Sequence, residues 1–276
     1  MLWQTTRFSI DLAMPRVMGI VNLTPDSFSD GGMHGGALAH CERLLTEGAD
    51  MLDFGGESTR PGAEPVALGD ELARVLPVLR EAVRLGVPIS IDTYKTEVMR
   101  AALDLGVDIV NDIKALRAPG ALDVVAAHPA CGVCLMHMRG DEPRTMQDGE
   151  PRYDDVVASV REFLRERLEA LRARGVAAER VVLDPGIGFG KRSEHNLALL
   201  ARQSELMALG RPLLAGWSRK STLGRVIGRE ALGERLVASV AAALAAVQRG
   251  ARIVRVHDVQ ATVDALAVWR AAGLPG

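Results

Sequence analysis

Residues 51–93 read MLDFGGESTRPGAEPVALGDELARVLPVLREAVRLGVPISIDT and contain one complete repeat of the pattern that runs through the chain. An apolar run over 51–55 precedes an amphipathic segment over 70–85, and a second apolar run follows over 88–93. Short, near-continuous apolar runs are typical of parallel strands that are covered on both faces. The stretch therefore predicts a strand, a helix and a second, parallel strand.

The same alternation extends along the whole chain of 276 residues. Strands are predicted over 17–22, 51–55, 88–93, 108–112, 132–137, 181–184, 212–216 and 252–257. Helices are predicted over 36–47, 70–85, 96–105, 120–127, 154–175, 193–209, 230–249 and 259–271. Eight such units without a linker predict one domain over 1–276, a (β/α)8 TIM barrel, with a doubly wound open sheet as the alternative. Residues 1–16 are expected to cap the N-terminal end of the barrel.

The composition excludes several classes of protein. With 48% hydrophobic and 25% charged residues and a net charge of −2, the chain resembles an ordinary globular protein without a broad basic surface. We therefore expect neither a nucleic acid nor a membrane as a partner. The longest charge-free run, 124–138, is too short to span a bilayer, and the N-terminus lacks the pattern of a signal peptide. Three cysteines make no disulfide framework, so a cytoplasmic location is expected.

Polar residues follow every predicted strand. In (β/α)8 enzymes the active site is built at this C-terminal rim of the barrel. One Asp or Asn at such a position often only caps the next helix, but a complete ring of polar residues predicts a site. The ring comprises Asn22, residues 55–60, Asp92, Asn111, His137, Asp184, residues 218–220, Arg255 and His257.

Arg255 and His257 are two residues apart on one strand and therefore share a face. A buried guanidinium needs an anionic partner, which is either a ligand or a structural salt bridge. The loops at 23–35 and 58–62 are rich in glycine and small polar residues and are expected to close over a substrate.

Three further motifs are weaker. Cys131 and Cys134 imitate a metal or redox pair, but residues three apart on a strand face opposite sides, so zinc is not expected. The sequence GIGFG at 186–190 lacks the glycine spacing of a dinucleotide site. Lys220 fits a Schiff-base lysine of a barrel aldolase, or a group that binds an anion or a carbonyl.

Nine stretches in register, from residue 22 to residue 258, resemble the dihydropteroate synthase family. They are NLTPDSFSDGG (22–32), GGESTRPG (55–62), IDT (91–93), NDI (111–113), LMHM (135–138), DPG (184–186), GFGK (188–191), SRKS (218–221) and RVHD (255–258). Departures from the family pattern are Tyr94, Trp217 and Ile187, none of which replaces a residue with a catalytic role.

The resemblance implies an activity: 6-hydroxymethyl-7,8-dihydropterin diphosphate and 4-aminobenzoate form 7,8-dihydropteroate and diphosphate. It implies Mg²⁺ as the cofactor, with Asn22 as its ligand, and a homodimer in which the Ala-rich stretch 237–247 allows close packing. It implies a pterin pocket of Asp92, Asn111, Asp184, Lys220 and Arg255. The diphosphate and aminobenzoate sides take Thr59, Arg60, Ser218, Arg255 and His257, and the catalytic residues are Lys220, Arg255, His257 and Asp92.

These roles agree with the chemistry of the ligands. A carboxylate such as Asp184 can accept from both adjacent donors of a pterin edge, Asn111 can donate and accept, and Lys220 can donate to the carbonyl. Two alternatives remain: a pterin-binding relative without turnover, and a methyltetrahydrofolate-type methyltransferase with the same barrel. A phosphate-binding aldolase that uses Lys220 ranks below both.

Overall fold

The computed structural model describes residues 1–24, 33–58, 62–147, 150–229 and 231–273. Eight parallel strands close into a barrel in which each strand pairs with the next along the chain and the last pairs with the first, which confirms the predicted (β/α)8 fold. A separate antiparallel hairpin precedes the barrel. The strands are β1 Leu2–Gln4, β2 Ser9–Asp11, β3 Arg16–Asn22, β4 Met51–Gly55, β5 Ile89–Asp92, β6 Ile109–Asp112, β7 Gly132–Met136, β8 Val181–Asp184, β9 Leu213–Ala215 and β10 Ala251–Val256.

Helices surround the barrel as the alternation predicts. Within the described ranges they are α1 Met33–Thr46, α2 Leu68–Ala82, α3 Thr96–Asp104, α4 Ala121–Ala127, α5 Val156–Ala173, α6 Ser193–Ala201, α7 Ser221–Ile227, α8 Leu236–Gln248 and α9 Val259–Ala271. None of them combines the length and the hydrophobicity that a membrane span requires.

Two predicted helices were wrong in extent. The segment predicted as a helix over 193–209 is α6 followed by a 3₁₀ turn, Gln203–Leu209, because the buried side chain of Gln203 donates to two carbonyls near the end of α8. The segment predicted over 230–249 begins with a 3₁₀ turn, Leu232–Arg235, before α8. The seven-residue helix α7 was missed because a helical apolar pattern is recognised only over a longer stretch, of about 11–18 residues.

Apolar side chains fill the N-terminal half of the barrel interior. Seven of the eight strands contribute one residue each to a single cluster, since alternate residues of a strand face the same side. The seven are Met18, Met51, Ile109, Cys134, Val182, Leu214 and Ile253. Cys131 belongs instead to the core between the strands and the helices, so the two cysteines face opposite sides as predicted.

The hairpin β1–β2 covers the N-terminal end of this interior cluster. Trp3, Ile10 and Leu12 pack against it, and Trp3 has no exposed surface. The Trp3 indole Nε1 also donates a hydrogen bond of 2.9 Å to the carbonyl of Arg180. The hairpin therefore shields from water the apolar layer on which the C-terminal rim rests.

Replacing Trp3 by alanine tests this contribution. We expect W3A to lower the free energy of unfolding by about 3–5 kcal/mol, because it leaves a large cavity and an unsatisfied carbonyl. Urea denaturation measures the loss. The matched control is L2A, at a half-exposed neighbour on the same hairpin, which should change stability by less than about 0.5 kcal/mol. Equal stability of W3A and L2A would contradict the account.

Candidate active site

A polar layer lies directly above the apolar one. The residues two positions further along β4, β6, β8 and β10 occupy the same interior face, because the side-chain period of a strand is two. They are Asp53, Asn111, Asp184 and Arg255. Four strands therefore place polar or charged side chains in the C-terminal half of the barrel interior, whereas the cluster in the N-terminal half is apolar.

Arg255 forms the centre of this layer. Its Nε donates to Asp53 Oδ2 at 2.6 Å and its Nη2 donates to Asp92 Oδ2 at 2.7 Å. Asn111 Nδ2 donates to the same Asp53 oxygen at 3.2 Å. The salt bridge that sequence analysis held as an alternative for Arg255 therefore exists, and the structure brings Asp92, Asn111 and Arg255 into one cluster.

Asp53 was missed in the sequence. The sequence does contain an indication of its role. Asp53 is an acidic residue within an otherwise apolar strand, and it shares the face of Gly55, two positions further on. Asp53 lies in the middle of β4, whereas the predicted site residues stand at the ends of strands. It has no exposed surface and pairs with a guanidinium 202 residues away.

The pKa values of the acidic residues reflect their burial. Burial raises the pKa of Asp92 to about 7, although Arg255 opposes this shift and Asp53 adds to it. Burial also raises the pKa of Asp184, opposed by the Gly186 N–H, Lys220, Lys191 and Arg255. Cationic or hydrogen-bond-donating ligands would stabilise both carboxylates in their ionised form.

The loop after β8 is held by a buried ammonium group. Lys191 Nζ donates to the carbonyls of His137, Gly186 and Phe189 and lies 2.8 Å from His137 Nδ1. Gly186 has a φ of +69°, and a Cβ there would lie 1.9 Å from the His137 carbonyl oxygen, so only glycine fits. Its N–H donates to Asp184 Oδ1 at 2.7 Å, which orients that carboxylate.

Lys220 lies beside this loop. Its Nζ is 4.4 Å from the centre of the Phe189 ring, and its Cδ would lie 3.3 Å from a Cβ at Gly188. The charge of Lys220 lowers the pKa of Asp184, though less than the Gly186 N–H does, so the two side chains act on one another electrostatically. Lys220 therefore belongs to the same end of the barrel as Asp184.

Ser218, His257 and Asn22 form the other side of the rim. Ser218 Oγ lies 2.9 Å from His257 Nδ1 and accepts from the His257 backbone N–H at 3.1 Å. Asn22 and His257 line a cavity of about 750 Å³ between α1 and the start of α9. Burial, and then Arg255 and Arg219, lower the pKa of His257 to about 3, so its imidazole is neutral at pH 7.

Some residues of the predicted ring point elsewhere. His137 faces the helices. Its ring and the Phe163 ring are nearly perpendicular, with 4.9 Å between the ring centres. Arg219 pairs with Asp258: its Nη2 donates to Oδ1 at 2.5 Å and its Nε donates to Oδ2 at 3.0 Å. Thr59, Arg60 and most of the first loop lie outside the described residues.

The three departures from the family pattern lie in different surroundings. Trp217 and Ile187 are buried in the core between strands and helices, away from the barrel interior. Tyr94 is close to the rim: its hydroxyl donates to Glu57 at 2.7 Å, and Glu57 begins the second loop. Lys95 joins Glu57 to Glu71 by two ion pairs, so this part of the loop is anchored to the start of α3.

Comparison with known proteins identifies the class to which this fold and site belong. The family model described as "Pterin binding enzyme" matches residues 18–257, which begin in β3 and end just after β10. The chain therefore belongs to the pterin-binding enzyme family.

Individual relatives narrow the assignment. The chain is 55% identical to a dihydropteroate synthase of Neisseria meningitidis serogroup B, over 99% of this chain and 98% of the relative. It resembles the crystal structure of the Burkholderia cenocepacia enzyme with 7,8-dihydropteroate at a TM-score of 0.91 and 55% identity, over 99% and 96% of the two chains. It resembles the Xanthomonas albilineans enzyme with 4-aminobenzoic acid at a TM-score of 0.91 and 52% identity, over 97% and 96%. Within the family, the chain is a member of the dihydropteroate synthases.

The low pKa of His257 gives a test of the site's electrostatics. The pKa of about 3 lies below the value of about 6.5 in an unfolded chain. At pH values between the two, the folded protein therefore binds fewer protons than the unfolded chain does. The contribution of His257 to the free energy of unfolding is therefore complete above pH 6.5 and is lost as the pH falls towards 3. In NMR titration, with H257Q to assign the signal, we expect a neutral ring from pH 8 down to 5 and a midpoint near 6.5 only in urea. A midpoint near 6.5 in the folded protein would show that the site is less desolvated than the structure indicates.

Proposed function

We propose that this chain catalyses the dihydropteroate synthase reaction, in which 4-aminobenzoate displaces diphosphate from 6-hydroxymethyl-7,8-dihydropterin diphosphate. The observation that carries the proposal is the buried cluster of Arg255, Asp53, Asp92 and Asn111 at the C-terminal end of the barrel interior. Burying these charged groups costs free energy that their mutual pairing offsets only in part, and a polar ligand that uses the remaining donors and acceptors would offset more of it. The relatives described above are named for this activity, and two of them bind its substrate or product.

The proposed pterin pocket consists of Asp92, Asn111, Asp184, Lys220 and Arg255. The 2-amino group and the adjacent ring N–H of the pterin would donate to Asp184, whose Oδ1 is already oriented by the Gly186 N–H. Lys220 would donate to the pterin carbonyl. Asn111 and Asp92 would contact the remaining ring nitrogens. Charge-assisted hydrogen bonds of this kind are oriented and strong, so they would select a pterin edge.

The diphosphate would bind at the side of His257, Ser218 and Arg255. Carboxylates of the described residues accept from two of the five N–H donors of Arg255, so other donors are available for diphosphate oxygens. The imidazole of His257 is neutral and can therefore donate one hydrogen bond without adding charge. Thr59, Arg60 and Ser218 would serve the aminobenzoate side and the loops.

The donor set also fits the Mg²⁺ ion that the family implies, in a limited way. Among the described residues, no group of three His, Cys, Asp or Glu could hold an ion by itself. Asn22, at the end of β3, offers one amide oxygen beside His257. Mg²⁺ commonly takes one or two protein oxygens and fills its shell with water and phosphate oxygens. Asn22 would thus hold an ion that arrives with the diphosphate, and the ion would supply charge neutralisation on the leaving group.

In the reaction the amine nitrogen forms a bond to the methylene carbon, the carbon–oxygen bond to diphosphate breaks, and the amine loses a proton to solvent. The aryl amine is neutral at pH 7, so it needs no strong base before attack. Departure of the diphosphate is the step that needs help, and Arg255 and His257 are placed to supply it. We infer that bond breaking runs ahead of bond making, while Asp92 stabilises the positive charge on the pterin; its Oδ1 is buried and has no hydrogen-bond partner within the described ranges.

Positional isotope exchange tests the order of bond breaking. With bridge-labelled pterin diphosphate and an unreactive aminobenzoate analogue, we expect the label to move from the bridging to the non-bridging oxygens, because the bond breaks reversibly before attack. NMR or mass spectrometry follows the label. Absence of exchange, under conditions in which released diphosphate is shown to rotate in the site, would contradict this order.

Removing the Asp184 acceptor tests pterin recognition. D184N should weaken the binding of pterin diphosphate about ten- to hundredfold, because one of two charge-assisted bonds to the ligand is lost, at about 1.5–3 kcal/mol. Calorimetry measures the affinity. The control is D50N at the opposite end of the barrel, where Asp50 pairs with Arg16; it should bind pterin as the wild type does. Similar losses in both variants would contradict a specific role for Asp184.

A coupled assay for diphosphate release decides between the enzyme and a pterin-binding protein without turnover. We expect release only when pterin diphosphate, 4-aminobenzoate and Mg²⁺ are all present. Binding of pterin diphosphate without release would favour the non-catalytic alternative.

We further propose a homodimer in the cytoplasm. Val237 at the start of α8 is 78% exposed and Val268 on α9 is 71% exposed, which leaves apolar side chains for a partner subunit. The cysteines Cys41, Cys131 and Cys134 are buried free thiols, as is usual in a reducing compartment. Light scattering that gives the mass of one chain would contradict the dimer.

A further inference from the structure

Asp53 is a charged residue in an unusual position. It lies in the middle of β4, faces the barrel interior and has no exposed surface. A buried carboxylate destabilises a fold unless it is paired and hydrogen-bonded. Its presence above an apolar layer therefore calls for a reason beyond stability.

The contacts of Asp53 are made to two residues of the proposed pterin pocket. Its Oδ2 accepts from Arg255 Nε at 2.6 Å and from Asn111 Nδ2 at 3.2 Å. Its Oδ1 is buried and has no hydrogen-bond partner among the described residues. One carboxylate oxygen thus joins β4 to β6 and β10 across the barrel interior.

Each contact constrains how its partner meets a ligand. An ionised carboxylate only accepts hydrogen bonds, so the amide of Asn111 must turn its Nδ2 towards Asp53 and its carbonyl oxygen away. Asn111 then offers an acceptor to a pterin N–H. The planar guanidinium of Arg255 is held at Nε by Asp53 and at Nη2 by Asp92, which fixes both its plane and the donors that remain.

We propose that Asp53 is a positioning residue for pterin recognition, which acts by fixing the amide orientation of Asn111 and the plane of Arg255. The proposal rests on the proposed function, because it assumes that these two residues meet the pterin. It predicts that Asp53 affects pterin binding and leaves the aminobenzoate side unchanged.

Asp108 provides the matched control. It is equally buried and also pairs with an arginine, Arg7, but it lies at the opposite end of the barrel and contacts no residue of the pocket. Asp108 accepts from Arg7 and from the Ile89 backbone N–H. D108N therefore reports the structural cost of neutralising a buried, paired carboxylate.

The experiment compares wild type, D53N and D108N by calorimetry with oxidised 6-hydroxymethylpterin, by steady-state kinetics and by thermal unfolding. D53N should raise the Kd for the pterin at least tenfold and leave the KM for 4-aminobenzoate within twofold. D108N should lower the melting temperature without changing the Kd by more than twofold. A D53N Kd within twofold of wild type, or equal losses of affinity in D53N and D108N, would overturn the proposal.

Variants of Asn111 give a second test, and its first comparison, N111D with N111A, needs no change at Asp53 and therefore holds even if D53N folds poorly. N111D places a second carboxylate 3.2 Å from Asp53 and should bind the pterin more weakly than N111A. The penalty of D53N should also be smaller in the N111A background than in wild type, because one route of its action is gone. N111D as tight as wild type, or an unchanged D53N penalty, would overturn the proposal. Failure of the wild type to bind the pterin would instead refute the proposed function.

Discussion

The structure depends on the placement of one guanidinium, that of Arg255, inside the barrel. Two carboxylates from other strands, Asp53 and Asp92, lie within 2.7 Å of it. A charged group in this position is tolerated because both carboxylates pair with it directly. Closure of the barrel, which pairs β10 with β3 and so places it one strand away from β4, is what makes this arrangement possible.

The two ends of the barrel interior differ in role: the N-terminal end stabilises the fold, and the C-terminal end carries the charged residues of the candidate site. At the N-terminal end, Trp3 and its neighbours close a buried apolar layer. At the C-terminal end, three acidic residues and Arg255 share a region where burial raises the pKa of Asp92 to about 7 and that of Asp184 above its ordinary value. Perturbed acids near a cation are typical of functional sites, since they gain more from a ligand than from the fold alone.

The sequence predicted the architecture and the end of the barrel at which polar residues gather, because apolar runs alternate with amphipathic ones and each run ends in polar residues. It could not predict which polar side chains meet. His137 and Asp184 both end a predicted strand, yet Asp184 pairs with Met136, so His137 lies one residue further on and its side chain turns towards Phe163. The role of Asp53 was not predicted because its partner Arg255 is 202 residues away in the chain, and only the closed sheet brings the two together.

The most direct test of the account is a crystal structure of this protein with oxidised 6-hydroxymethylpterin at high resolution. We predict that the pterin lies within the barrel mouth, with its 2-amino group and ring N–H on Asp184, the second hydrogen of the 2-amino group on the Asn111 carbonyl oxygen and Arg255 still paired with Asp53. A pterin bound outside this cluster, or an Arg255 that leaves Asp53 to reach the ligand, would contradict the account.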